Sequence, residues 1–412
     1  MSKAVYIATM EHGSGKSIVT LGLMRMLLGK VAKVGYFKPI ISDFQGEEAD
    51  NHINTVRTHF NLDITCGEAY AYTKSEVLMK MHEGQIDEVL DKIIEKYKAI
   101  EEQYDFVLVE GTDFAGEGTS VELEINSDIA KNLGIPAIIV EKGKGKTMNE
   151  FVNEMTTAYD LFEENDVKVL SIVANMVQPE NIEWIRTELV KKMGNKVLVN
   201  VIPMIDDLGN PTVKEVAKDL KAEILFGHDK LNNLVGHTVV GAMQLRNFLP
   251  RLKKNTLIVV PGDRSDLVMG ALQANISHNY PALAGVVLSG GLVPDPAVVK
   301  LAEGLPQKLP IILVKDDTYT CAQKVAQISP KIYATNKSKI QLSIRSFDKY
   351  VESEDLAKAM ITFEPKGITP RMFQYNLLKW AQKEKKRIVL PEGDDDRILT
   401  AAARLVNQMW LI

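Results

Sequence analysis

The chain has 412 residues, enough for two or three domains with cores of their own. Hydrophobic residues make up 45% and charged residues 25%, an ordinary globular balance, and the net charge of −5 argues against a nucleic-acid or membrane-binding surface. No run of about 18 apolar residues occurs, so no transmembrane helix is expected. Cys66 and Cys321 stand far apart without metal-ligand spacing and read as free thiols of a cytoplasmic protein, and the 7 histidines are too scattered for a zinc site.

The chain opens Met-Ser-Lys-Ala-Val-Tyr-Ile, directly into a strand and unlike a signal peptide. An apolar run at 5–8 is followed by Met10-Glu11-His12-Gly13-Ser14-Gly15-Lys16-Ser17 and an apolar helix-length segment at 18–28. Strand, glycine loop, Lys-Ser and helix is the context of a phosphate-binding loop. Gly13, Ser14 and Gly15 would turn backbone N–H groups toward phosphate oxygens, and the next helix's N-terminus favours the same anion. Lys16 would reach the terminal phosphates and Ser17 would hold magnesium. Met10 replaces the first glycine of the usual pattern, so a tight turn with an exposed lysine stays open.

Further strand-like runs lie at 34–37, 106–109, 137–140, 169–174 and 197–202, with an amphipathic helix carrying Ile86, Val89, Leu90, Ile93, Ile94 and Tyr97 between the second and third. Strands alternating with helices predict a doubly wound parallel α/β sheet, with ligands at the strands' carboxyl ends. Lys38, Glu110 and Asn175 follow three of these strands. Lys38 could pair with a phosphate or carboxylate, Glu110 could accept from a magnesium-bound water or ligate magnesium, and Asn175 could read a nucleobase edge. Each is also the kind of polar residue that ends strands for solubility alone.

Phe226-Gly227 marks a boundary, after which a second β/α alternation starts, with strands at 256–260, 285–288 and 311–314. The turn Pro261-Gly262-Asp263-Arg264-Ser265 could bind an anionic effector through Asp263, Arg264 and Ser265, or could cap a helix. Residues 364–370 read as a linker. A helix with Phe373, Leu377, Leu378 and Trp380 near one face follows, then a charged run at 383–387, Ile388-Val389-Leu390-Pro391-Glu392-Gly393, and a helical pattern at 398–406.

The loop at 9–17, Phe37-Lys38-Pro39, Val109-Glu110-Gly111 and Ala174-Asn175 together resemble the ATP-binding domain of the dethiobiotin synthetase type, although 112–116 depart from that family's glycine-rich continuation. The Pro-Gly-Asp-Arg turn resembles a DRTGG domain, and the Leu-Pro-Glu-Gly segment resembles the start of a phosphate acetyltransferase catalytic domain. The order resembles long-form bacterial phosphate acetyltransferases. It implies a P-loop domain at 1–225, a smaller α/β DRTGG-type domain at 226–350, a linker at 351–370 and a truncated α/β acetyltransferase start at 371–412. It also implies ATP and magnesium as ligands of the first domain, CoA and acetyl phosphate as family substrates, and a homo-oligomer. The expected chain is the nucleotide-binding and regulatory part, with little acetyl transfer of its own. A stand-alone regulatory module and an ATP-dependent ligase are the alternatives.

Overall fold

The structure, a computed structural model, describes residues 3–43, 50–112, 119–306, 308–365, 367–383, 389, 391 and 393–407. Two compact units divide the chain, one formed by Met1–Pro203 with Ser343–Ile412, the other by Met204–Leu342.

The six apolar runs of the first half become one sheet. Its strands are β1 (Lys3–Thr9), β2 (Val34–Phe37), β3 (Phe106–Glu110), β4 (Ala137–Lys142), β5 (Val169–Val177) and β6 (Leu198–Pro203). They lie in the order β2-β3-β1-β4-β5-β6, and every pairing is parallel. Every residue of β2 and β3, and all of β1 after Lys3, is buried. A parallel sheet sandwiched between helices needs near-continuous apolar strands, which is the pattern of these runs. The chain steps from β1 out to β2, back to β3, then across β1 to β4, so the carboxyl end of β1 lies at the point where strand order reverses.

The principal connecting helices are α1 (Lys16–Leu28), α2 (Asn51–Phe60), α3 (Ile86–Glu101), α4 (Thr119–Leu133) and α5 (Met148–Glu164). Helix α3 buries Val89, Leu90, Ile93, Ile94 and Tyr97, the face its sequence spacing predicts. Asp50 starts α2 by accepting from His52 and Ile53 N–H, and a Thr147–Glu150 capping box starts α5.

The second unit carries its own five-stranded sheet. Its strands are β7 (Glu223–Phe226), β8 (His237–Val240), β9 (Thr256–Pro261), β10 (Gly285–Ser289) and β11 (Ile311–Leu313), in the order β8-β9-β10-β11-β7. Helices α6 (Ser265–Ile276) and α7 (Thr318–Gln327) contribute to cores on opposite faces. On β9 the alternation is direct: Ile258 and Val260 join the core with α6, Leu257 and Val259 the core with α7. Strand β7 pairs antiparallel with β11. The second unit therefore begins before the boundary expected at 225, because residues 223–226 edge this sheet instead of closing the first domain.

Helix α8 (Lys337–Tyr350) returns the chain to the first unit, followed by a helix at Ser353–Thr362, then α9 (Pro370–Lys383) and α10 (Asp396–Asn407). The segment expected to open a separate domain docks, through α9, on the first unit. Arg371 pairs with Asp87 and with Asp91, and Thr369 Oγ1 donates to Asn132 O at 2.9 Å. Helix α9 buries Met372, while Phe373, Leu377 and Trp380, expected on its apolar face, are exposed. The expected charged run at 383–387, the segment at 388–393 and the departure at 112–116 fall wholly or partly outside the described residues.

Gly22 of α1 lies under Phe347 of α8, and a Cβ at position 22 would stand 2.0 Å from the ring's Cγ and 2.5 Å from its Cβ. The obstacle is the root of the side chain, which cannot swing aside. Gly22→Ala should gain up to about 1 kcal/mol of helix propensity yet destabilise the protein by about 1–3 kcal/mol net. Thermal denaturation of the parent and the variant checks this.

Candidate phosphate-binding site

The loop between β1 and α1 sits at the strand-order reversal. Gly13 and Gly15 have φ of +77° and +76°, the left-handed region that suits glycine. A Cβ on Gly15 would come within 2.3 Å of Asn175 Nδ2. Gly15 is the N-cap of α1 and supplies no side-chain cap, and its carbonyl accepts from Ile18 N at 3.1 Å. Ser14 Oγ is buried without a partner. These features fit an anion of phosphate type.

Lys16 is only 2% exposed, which sets aside the reading of a turn with an exposed lysine. Its Nζ donates to Gly111 O at 2.7 Å and stands 3.7 Å from Glu110 Oε1. Glu110 is fully buried at the end of β3. Its carboxylate accepts from Thr20 Oγ1 at 2.7 Å and Tyr36 OH at 3.0 Å, and lies 2.8 Å from His52 Nδ1. Burial alone would push this carboxyl up. His52, Lys16 and Lys38 more than offset that and hold it well below its usual range. Both donors, Thr20 and Tyr36, meet Oε2, while the buried Oε1 faces His52 Nδ1 and the Lys16 ammonium without a hydrogen bond of its own. Ser17 is half-buried, and no group of three acidic, histidine or cysteine side chains with metal-holding geometry occurs among the described residues.

Lys38, 2% exposed, pairs with Asp50 at 3.1 Å. The structure thus gathers Lys16, Lys38, Glu110, Asp50 and His52 beside the loop, of which sequence reasoning named the first three. Asp50 was within reach as the cap of α2, but only the fold brings its carboxylate to Lys38. Asn175 joins the site in a different capacity from the one expected. It is fully buried inside β5, and its Nδ2 donates to Ser14 O at 2.9 Å. In this conformation it braces the loop instead of presenting an amide to a nucleobase. Arg264, expected to meet an anion in the second unit, is held by both oxygens of Asp266 at 2.9 Å and donates to Met243 O. Asp263 and Ser265 flank it, and neither caps α6 through its side chain.

A second acidic residue underlies the loop. Glu141 of β4 is fully buried, accepts from Met10 N at 3.3 Å and from Lys142 N at 2.8 Å, and pairs with Lys146 at 3.2 Å. Lys146 also pairs with Glu11 and Glu154, and Lys142 donates to His12 O at 2.8 Å. An acid ending an apolar run is the signal that singled out Glu110, and it applies equally to Glu141. Burial pushes the Glu141 carboxyl up to about 7 despite Lys146, and the neighbouring Glu11 carboxylate adds to the rise. The folded protein then holds a proton that the unfolded chain releases near pH 4.5. Stability from this group is present at low pH and is lost as pH rises through about 7, by at most ~3 kcal/mol. Melting temperatures between pH 5 and 8 should show this decline in the parent, and Glu141→Gln should flatten it.

Comparison with known proteins follows the same division. A family model described as AAA domain matches residues 3–212, one described as DRTGG domain matches 215–328, and one described as phosphate acetyl/butaryl transferase matches 372–411. The phosphate acetyltransferase of Nitratidesulfovibrio vulgaris is 39% identical over 99% of this chain and 59% of its own length. That of Synechocystis is 37% identical over 99% and 59%, and that of Pseudomonas aeruginosa 29% over 97% and 58%. The chain thus spans about three fifths of the length of these relatives. Among solved structures, the MinD cell division protein of Aquifex aeolicus aligns with 50% of this chain and 84% of its own at 14% identity, with a TM-score of 0.31. Matched by the AAA domain model over more than half of its residues and by phosphate acetyltransferases over nearly all of them, the chain belongs to the AAA domain family and is a relative of the phosphate acetyltransferases.

Proposed function

We propose that this chain forms the nucleotide-sensing part of a phosphate acetyltransferase. Such a protein moves an acetyl group between the sulfur of CoA and an oxygen of phosphate, interconverting acetyl-CoA plus phosphate with CoA plus acetyl phosphate. The observation that carries the reading is the match over 99% of the chain at 39% identity, with AAA, DRTGG and transferase segments in that order. No residue of this chain is assigned to the acetyl transfer itself, since the transferase model meets only 372–411.

The first unit supplies the sensor. Gly13, Ser14, Gly15, Lys16 and Ser17 would hold the phosphates of ATP, with Lys16 moving from Gly111 O to a phosphoryl oxygen. Lys38 would take a further anionic group now replaced by Asp50. Magnesium would arrive with the nucleotide and meet Ser17. Asn175 would keep the loop in shape. Asp263, Arg264 and Ser265 are a second effector position only if Arg264 leaves Asp266. No described helix is long and apolar enough to cross a membrane. A cytoplasmic homo-oligomer acting on small molecules accords with the acyl-transfer reading.

ATP should bind the 412-residue chain, and Lys16→Ala should weaken binding at least about tenfold, through loss of a charge-assisted contact. Titration calorimetry measures both. Turnover of CoA and acetyl phosphate to acetyl-CoA, by a protein containing this chain, should respond to ATP and lose that response with Lys16→Ala. Equal ATP affinity in parent and variant would remove the loop from the proposal.

A further inference from the structure

Thr112 carries a hydroxyl that the fold buries and leaves unmatched. The residue is 1% exposed, and its Oγ1 has no hydrogen-bond partner among the described residues. Ser14 Oγ, in the loop itself, is in the same condition at 1% exposure. Buried hydroxyls are almost always paired, because an unpaired one forfeits its hydration for nothing. Valine would fill the same space as threonine without that loss, so packing does not explain Thr112.

Loose placement does not explain it either. Thr112 N donates to Asn126 Oδ1 at 2.9 Å, and its carbonyl accepts from Thr9 Oγ1 at 2.9 Å and from Asn126 Nδ2 at 3.3 Å. Asn126 is fixed in turn by Tyr6 OH at 2.7 Å and by Thr9 O, which takes its Nδ2 at 3.1 Å. All of these groups are buried. One residue before Thr112, Gly111 O holds the Lys16 ammonium at 2.7 Å. The backbone bearing the unpaired hydroxyl is therefore locked beside the resting place of the lysine that, in loops of this kind, serves the terminal phosphates.

We propose that Thr112 is a ligand-binding residue that selects a nucleoside triphosphate over the diphosphate, its Oγ1 donating to a terminal phosphoryl oxygen while Ser14 Oγ takes a neighbouring one. The inference rests on the reading of the loop as a nucleotide site. It adds a contact from the end of β3 that the glycine loop alone lacks. A diphosphate leaves Thr112 unmatched, and a triphosphate satisfies it.

Titration of magnesium-ATP and magnesium-ADP into the full chain tests this, with Thr112→Val, Thr112→Ser and Lys16→Ala beside the parent. Thr112→Val should melt no lower than the parent without ligand, bind ATP about tenfold more weakly and bind ADP within about twofold of the parent. Thr112→Ser, which restores a hydroxyl, should bind ATP within about threefold of the parent. If Thr112→Val does not fold, the ATP-to-ADP preference of Thr112→Ala replaces it and should fall by the same factor. Undiminished ATP affinity in the valine variant, with Lys16→Ala weakened, would overturn the role of Thr112 and leave the loop reading standing. Equal losses for ATP and ADP would overturn the selection of the terminal phosphate. Undiminished binding by Lys16→Ala would show that the loop reading itself fails.

Discussion

The constraint on which the first unit turns is charge balance among buried side chains. Lys16, Lys38, Glu110 and Asp50 are buried together at the carboxyl ends of β1, β2 and β3, with His52 against Glu110. Two cations and two carboxylates cancel. Removing one member strands its partner in a medium that solvates charge poorly, which costs far more than the pair's net worth.

Around that cluster the loop is held by groups from neighbouring strands. Asn175 of β5 meets the carbonyl of Ser14, Glu141 of β4 meets the N–H of Met10, and Lys142 meets the carbonyl of His12. Residues 10, 12 and 14 of one turn are thus tied to two strands on the same side of β1. Met176, next to Asn175, adopts φ of +52°, unusual for a side chain of its size. The pairing of β5 with β6 slips between Ala174 and Val177, at the same place. The local distortion lets β5 turn Asn175 toward the loop.

Much of the first sheet was legible because a parallel strand buried on both faces has to be an uninterrupted apolar word, and residues 5–8, 106–109 and 137–140 are such words. Strand β7 was not, since Glu223-Ile224-Leu225-Phe226 lies at a half-covered edge and its antiparallel partner is 85 or more residues away. The site divides in the same manner. Lys16 follows from the glycine loop, and Lys38 and Glu110 from their places at strand ends. That Asp50 and His52 would neutralise them depends on how α2 packs, and that Asn175 would support a turn instead of greeting a ligand depends on a contact across 161 positions. Sequence spacing locates polar residues near a site but does not say which of them face each other.

The first unit is not continuous in the chain: Gly22 in its opening helix is covered by Phe347, and Ser343–Ile412 rejoin Met1–Pro203 after the second unit has intervened. During synthesis on the ribosome, the amino-terminal sheet emerges long before the residue that covers this face. It must wait through translation of 139 intervening positions, Met204–Leu342, with an apolar surface still open. At elongation speeds of about 5–20 residues per second that wait lasts on the order of ten seconds. The second unit, contiguous in the chain, can complete its own core within that interval, so the nascent polypeptide matures from the middle outward.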